Sequence, residues 1–444
     1  MFNLKFCGAL LGATLICFGS FASAQTQPGH WTQFRGTAGT GAANPSAKPP
    51  VKWSDEQKAW EIEIPGTGWS SPVYQTNRAW MTSAVSTPMA KEEIAKRLEG
   101  VKYAQIKTIA ASVDLHAICV DLDSGKIIHN LKLGTVGEPD PINPLNSYAS
   151  PTPAISDGKV ICHFGNYGTW CLNEETGKEI WKKEFVVKHS VGPGSSPVIS
   201  DGKIIIVCDG TDKQFIVAAD LKTGDEIWKT NRPPMSAPDG EQQKAYSTPL
   251  LIDVNGKKQA VIPGAQWVAS YDPESGKEIW RVEHGKGFST TPMAVYESGL
   301  VIFSTGYMQP EFVAVDPTGS GDVTDSNIAW RTRNAPTMPS FVANSGRIFA
   351  VTDKGIMFCL DAKTGEELKR SRVGGNFSAS PILAGGNLYL PSREGKMTIM
   401  QCSSELNVLG SQEFGAPIMA SPVLVGNDLI VRTEKKLVRI KGTP

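Results

Sequence analysis

The sequence predicts an all-β protein, an eight-bladed β-propeller of four-stranded antiparallel blades, and three observations carry that prediction. The first is a recurring phrase, ETGKEIW at 175–181, KTGDEIW at 222–228 and ESGKEIW at 274–280. A phrase that returns at a fixed period marks a unit that buries its apolar face only by stacking on copies of itself. The second is a set of Ser/Thr-Pro phrases, WSSP, SPTP, GSSP, YSTP, STTP, TMP, ASP and ASP, whose prolines are Pro72, Pro153, Pro197, Pro249, Pro292, Pro339, Pro381 and Pro422. From Pro153 onward these prolines are 41 to 52 residues apart, a blade-sized period, and one longer gap separates Pro72 from Pro153. The third is the end of the chain, where SPVLVGNDLIVRTEKKLVRIKGTP supplies three strands and no closing tryptophan phrase. KAWEIEIPG at 58–66 matches the missing fourth strand, so an N-terminal strand is expected to close the ring and leave no free sheet edge.

One unit shows the internal order. After Pro197 come VIS, the turn DGK, the run IIIVCDG, a loop, FIVAADL, the turn KTG and EIWKT, which read as four strands joined by turns. Asp-Gly and Thr-Gly place glycine where a positive φ is needed, and the preceding Asp can accept from the turn's N–H groups. Proline cannot donate to a ladder, so it belongs at the start of the innermost strand, an edge facing the channel. Trp181, Trp228, Trp280 and Trp330 fall on the outermost strands, where a large ring can wedge against the next blade, and Trp60 takes that role in the closing strand.

Residues 1–24 have a Lys-containing start, an apolar stretch and an Ala-Ser-Ala end, the pattern of a secretory signal peptide; 25–57 are then an N-terminal arm and 58–444 the propeller. An exported, periplasmic protein is expected, either peripheral to the outer membrane or secreted, and not integral to a membrane. Lys+Arg and Asp+Glu balance at 44 each over 444 residues, which gives no electrostatic case for nucleic acid. Cys119, Cys162, Cys171, Cys208, Cys359 and Cys402 show no metal-ligand spacing. No disulfide is expected in the mature chain, because Cys119, Cys171 and Cys359 sit in matching phrases of different units; Cys162 and Cys171 are the best candidates for an exception.

The run Ala218-Ala219-Asp220-Leu221-Lys222-Thr223-Gly224 through Trp228 resembles the tryptophan-docking repeat of quinoprotein-type propellers, and WTQFRGTAGTG at 31–41 resembles the opening of pyrroloquinoline-quinone-repeat-like proteins. The resemblance covers roughly 58–441. It implies either a BamB-like non-catalytic scaffold or a dehydrogenase that uses pyrroloquinoline quinone with calcium. Such dehydrogenases carry a pair of adjacent cysteines under the cofactor, and this chain has no Cys-Cys dipeptide.

Function is expected on one face. In a four-stranded meander the loop between the second and third strands and the crossover to the next blade emerge together. The longest departures from the repeat, 85–112, 134–147 and 231–245, all fall there. Within the first, the spacing of Ile94, Leu98, Val101 and Ile106 predicts a short amphipathic helix. Asn143, Asn146, Tyr148, His163, Asn166, Tyr167, Trp267, Tyr307 and Arg393, with Gln266 nearby, are candidates for a polar and aromatic mouth over the channel, and Tyr148, Trp170 and Trp267 could stack on sugar rings. The six histidines form no HExxH motif, and no GxSxG or P-loop occurs. The expectation is therefore a binding propeller with no catalytic residues, metal or cofactor, whose partner is an envelope protein or peptide or a glycan; the alternative is the quinone- and calcium-dependent alcohol or sugar dehydrogenase.

Overall fold

A computed structural model describes Met1, residues 29–308 and residues 310–443. The signal-peptide reading of 1–24, with Cys7 and Cys17, lies outside the described residues. Eight sheets form the ring, each built on four strands in meander order, with a fifth strand added to one of them. Blade 3 is typical, with Val198–Ser200 innermost, then Lys203–Asp209, Gln214–Asp220 and Glu226–Asn231. Strand alternation puts Cys162 on the face packed against blade 1 and Ile161 and Cys171 on the face packed against blade 3. Cys162 therefore pairs across the ladder with Trp170 and not with Cys171, and a bridge between the two cysteines would have to pass through the sheet.

The closing strand is in place. Lys58–Glu63 runs antiparallel to Lys436–Ile440 and completes blade 8 in the order expected. Trp60 Nε1 donates to the Leu122 carbonyl of blade 1 at 2.8 Å. Trp181, Trp228 and Trp330 make the same bond to Leu221, Pro273 and Ala362 of the blade that follows. The turn glycine is required twice over. Gly224 has φ +73°, and a Cβ there would stand 2.8 Å from the Trp181 ring.

Trp280 departs from this scheme. The turn after the third strand of blade 5 is long and folds back, so that Gly321–Asp322 adds a fifth, parallel strand outside blade 4. Trp280 is thereby fully buried, and its Nε1 donates to Gln259 Oε1 at 2.8 Å. Gln259 Nε2 in turn donates to Pro317 O at 3.2 Å, so the contact with the next blade runs through an amide. In blades 1, 6 and 7 the docking position holds His129, Lys369 and Gly410.

The Ser/Thr-Pro phrases form a belt around the channel. The backbone N–H of Ser71 donates to Thr152 Oγ1, that of Thr152 to Ser196 Oγ, and that of Ser196 to Thr248 Oγ1, at 2.9 to 3.0 Å. Met293, Ser340 and Ser380 repeat the bond to Ser340, Ser380 and Ser421. The structure corrects the phrase alignment in two blades: in blades 5 and 6 the clasp residues are Met293 and Ser340, which follow Pro292 and Pro339 instead of preceding a proline. Met293 has no hydroxyl, and at that seam Ser247 Oγ donates to Pro292 O at 2.9 Å. Between blades 8 and 1, Arg432 Nη1 reaches Ser70 O and Thr82 O, both at 2.9 Å. Ser380→Ala removes one clasp and strands a buried N–H, so we expect a loss of about 1–3 kcal/mol in denaturant unfolding, with function unchanged. A variant as stable as the parent would show that the belt is incidental.

The arm, residues 29–57, runs across the end of the ring opposite the long insertions. Trp31 bridges to Tyr74 of blade 1, and Thr32 O accepts from Ile155 N of blade 2. Arg35, which is 1% exposed, donates to Phe341 O and Pro381 O in blades 6 and 7, on the far side of the axis. The chain therefore crosses the channel. It then pairs Ala42 with Leu383 of blade 7, and Val51 O comes to 3.1 Å from where a Cβ on Gly410 would stand. The arm thus packs where blade 7 lacks a docking tryptophan.

Candidate functional site

With one end of the channel crossed by the arm, the clasp belts and the insertions enclose a cavity of about 730 Å³ at the other. Phe34 of the arm is its floor, and residues of all eight blades line its wall. Such a volume is in the range of small-molecule and peptide side-chain sites. The wall carries many hydroxyls, but Thr152, Ser196, Thr248, Ser340, Ser380 and Ser421 each accept a backbone N–H from the neighbouring blade. They hold the ring together and have no adjacent base to activate them as nucleophiles.

The rim is built by the loops that the repeat length singled out. The two strands flanking the first insertion are ten residues each and stay paired out to Thr87 and Ser112. The helix is shorter than the spacing suggested. It spans Lys91–Arg97, Leu98 caps it and is buried, and Tyr103 at φ 55° turns the chain into a 3-10 turn, Ala104–Ile106. Ile106 therefore leaves the helix face and joins Tyr103 and Lys107 at the cavity mouth. The crossover from blade 3 to blade 4 brings Glu241, Lys244 and Tyr246 to the same wall. Glu241 Oε1 accepts from Ser190 Oγ at 2.7 Å and Oε2 from Lys244 Nζ, while Lys107 Nζ stands 3.8 Å away. Burial pulls the Lys107 ammonium below its ordinary value, and hydrogen bonds from Lys244 and Ser190 hold the Glu241 carboxyl down against its own burial.

The candidate residues separate into three groups. Asn143, Asn146 and Tyr307 line the cavity. Asn146 spends its amide on Val191 O and Pro193 O, whereas Tyr307 is 55% exposed and meets Phe288 edge-on at 5.6 Å. Arg393 stands behind the wall, donating to Ser378 Oγ at 2.7 Å and Phe377 O at 3.0 Å. The others are corrected to supports beneath or beside the rim. Tyr148 is buried, with its hydroxyl on Asp140 O, and packs against Tyr167, whose hydroxyl accepts from Asp140 N. Asn166 donates to Asp140 Oδ2, so all three residues fix one crossover. His163 is buried on Thr169 Oγ1, and Trp267 bonds Pro234 O with Arg281 over its ring. Trp170 is 1% exposed, which removes it and Tyr148 as surfaces for a sugar.

Several wall residues carried no signal in the sequence. Lys107, Glu241 and Lys244 look like ordinary charges in loops, and Phe288, Met338 and Met419 like ordinary apolar residues. Only the ring brings them together. Phe34 had a faint signal, an aromatic inside a glycine-rich segment ahead of the first blade.

A calcium-bound quinone would need an oxygen-rich carboxylate set and cationic partners for its acid groups. Among the described residues of the wall, Glu241 is the sole carboxylate and is already engaged, and no group of three or more His, Cys, Asp or Glu is placed to hold a metal. The residues present do not fit that group. No helix among the described residues is long and apolar enough to cross a membrane.

The sequence profile of the family described as outer membrane protein assembly factor BamB matches residues 69–255 and 264–438. Among curated proteins the chain is similar to a tetrathionate hydrolase of Acidithiobacillus ferrooxidans, 22% identical over 82% of this chain and 84% of that protein. It is also 26% identical to the outer membrane protein assembly factor BamB of Legionella pneumophila, over 47% of this chain and 51% of that one. Among solved structures, a europium-containing methanol dehydrogenase superposes with a TM-score of 0.66 at 12% identity, over 91% of this chain and 89% of the other. The last is a likeness of fold, which enzymes and non-enzymes share.

Proposed function

Because the chain belongs to the family of outer membrane protein assembly factor BamB, we propose that it is a non-catalytic envelope scaffold, exported to the periplasm, that docks a segment of a partner protein on the decorated face of its propeller. The observation that carries this reading is the asymmetry of the channel. One end is crossed by the arm, while the other opens through a rim of exposed Tyr103, Ile106, Tyr307 and Met308. Apolar and aromatic side chains exposed together around a concavity mark a place where another surface is to be covered. The relatives named as assembly factors support a partner-binding role, and the donor set of the wall gives no support to a quinone dehydrogenase.

The test removes the part of the rim supplied by the first insertion and keeps every strand of the ring, although the buried Ile109 and Ala110 leave with the segment. Thr87 and Ser112 are cross-strand partners, so residues 88–111 can be replaced by a two-residue Asn-Gly turn. A photo-crosslinking residue at position 307 is expected to trap a discrete envelope partner in the parent, to trap none in the shortened variant, and to trap none when placed at position 222 on the opposite face. Equal trapping at all three would remove the docking reading. So would turnover of an alcohol by purified protein supplied with pyrroloquinoline quinone, calcium and an electron acceptor.

A further inference from the structure

The cavity wall has an imbalance that docking at the rim does not use. Lys107, Glu241 and Lys244 are the charged residues lining it, two ammonium groups against one carboxylate. Glu241 is fully occupied by Lys244 and Ser190. Lys107, whose side chain is 5% exposed, stays at 3.8 Å, beyond hydrogen-bond length. Two more donors of the same wall are buried with no acceptor among the described residues, the Tyr246 hydroxyl, which has only the Val191 N–H beside it, and the Trp69 indole N–H. Tyr246 is 7% exposed. Buried polar groups are nearly always paired, so an unpaired set around one cavity calls for an acceptor that enters it.

We propose that the cavity binds a small amphipathic carboxylate, with the anionic group held by Lys107 beside Lys244 and Tyr246 and the apolar body lying among Phe288, Met338 and Met419. The net charge of the wall matches a single negative charge. A phosphate dianion would leave one charge unbalanced, and the wall has no arginine fork to receive it. The floor at Phe34 limits the length of the ligand, and the methionines, with their flexible thioethers, suit an apolar body of variable shape. The clasp hydroxyls of the wall are held by the neighbouring blades, so Lys107 and the Tyr246 hydroxyl set the orientation.

The inference rests on the mouth being a binding site, and its test is separable from that reading. Full-length protein would be titrated calorimetrically with octanoate, 2-naphthylacetate and N-acetylphenylalanine, each alongside its uncharged primary amide. At least one carboxylate is expected to saturate at one per chain and its amide to bind about tenfold more weakly or not at all. Lys107→Met is expected to lose about tenfold in affinity and Lys107→Arg to retain most of it, with melting temperatures near the parent's because Lys107 makes only a long ion pair. Saturation by acid and amide alike, an unaltered Lys107→Met, or no saturation by any of the three acids would overturn the proposal. A null titration with cross-linking at position 307 intact overturns this inference alone.

Discussion

Deleting residues 25–66 is expected to leave a chain that no longer unfolds cooperatively at the parent's temperature. The segment contributes the whole outer strand of blade 8, five paired positions against Leu437 and its neighbours, and the Trp60 contact to blade 1. It also contributes Arg35, whose buried guanidinium ties Phe341 O to Pro381 O, and Trp53, packed on Phe414 at 6.0 Å. Losing a fully buried tryptophan costs about 3–5 kcal/mol, of which the half-buried Trp60 accounts for a part, and the net stability of a domain is about 5–15 kcal/mol. The strand, the ring and the plug together therefore exceed what the fold can lose. Trp60→Ala in the full chain separates the contributions, with the melting transition expected to remain cooperative but at a lower temperature. A deletion variant melting like the parent would show that the ring is closed by other means.

Acid is expected to destabilise the folded protein well above the pH at which its surface carboxylates titrate. His163 is held down to about 3, and His189 and His284 to about 4, in each case chiefly because burial disfavours the charged ring. Below the ordinary value of 6.5, the unfolded chain takes up protons that the folded chain refuses, so stability falls as the pH drops from 6.5 towards 4. At pH 4 each ring accounts for roughly 3 kcal/mol. Asp209 has the opposite sign. Burial raises it to about 6 against the lowering pull of Arg232, so the folded chain keeps a proton that the unfolded one releases, which offsets part of that loss. The remainder still favours unfolding. The melting temperature is expected to fall steadily between pH 6.5 and 4.5, and His189→Gln with His284→Gln to move the acid midpoint lower. A melting temperature flat across that range would contradict the burial of these rings.

The sequence carried the ring because a propeller is written locally. The repeated turn and tryptophan phrase, the Ser/Thr-Pro phrase and the lone strand at 58–64 each reflect contacts within one blade or between neighbours, and such contacts recur at a fixed period. Departures from the period were legible for the same reason, and the first insertion does supply Tyr103, Ile106 and Lys107 to the rim. Where a local signal was overridden, the cause lay in a neighbour. The folded-back turn at Gly321–Asp322 buried Trp280 and rerouted its bond through Gln259, and Pro292 and Pro339 fell one residue before the clasp position.

By itself, then, the sequence determined an eight-bladed ring, its closure by an N-terminal strand and the face that bears the insertions. Only the tertiary structure decided what that face contains. Tyr148, His163 and Tyr167 lie on the same face as the rim but turn beneath it to satisfy buried groups, whereas Phe34, Lys107, Lys244 and Tyr246 meet from positions spread over more than two hundred residues. The channel belongs to all eight blades at once, so no single repeat encodes its wall, and the arm that floors it is fixed by carbonyls on opposite sides of the axis.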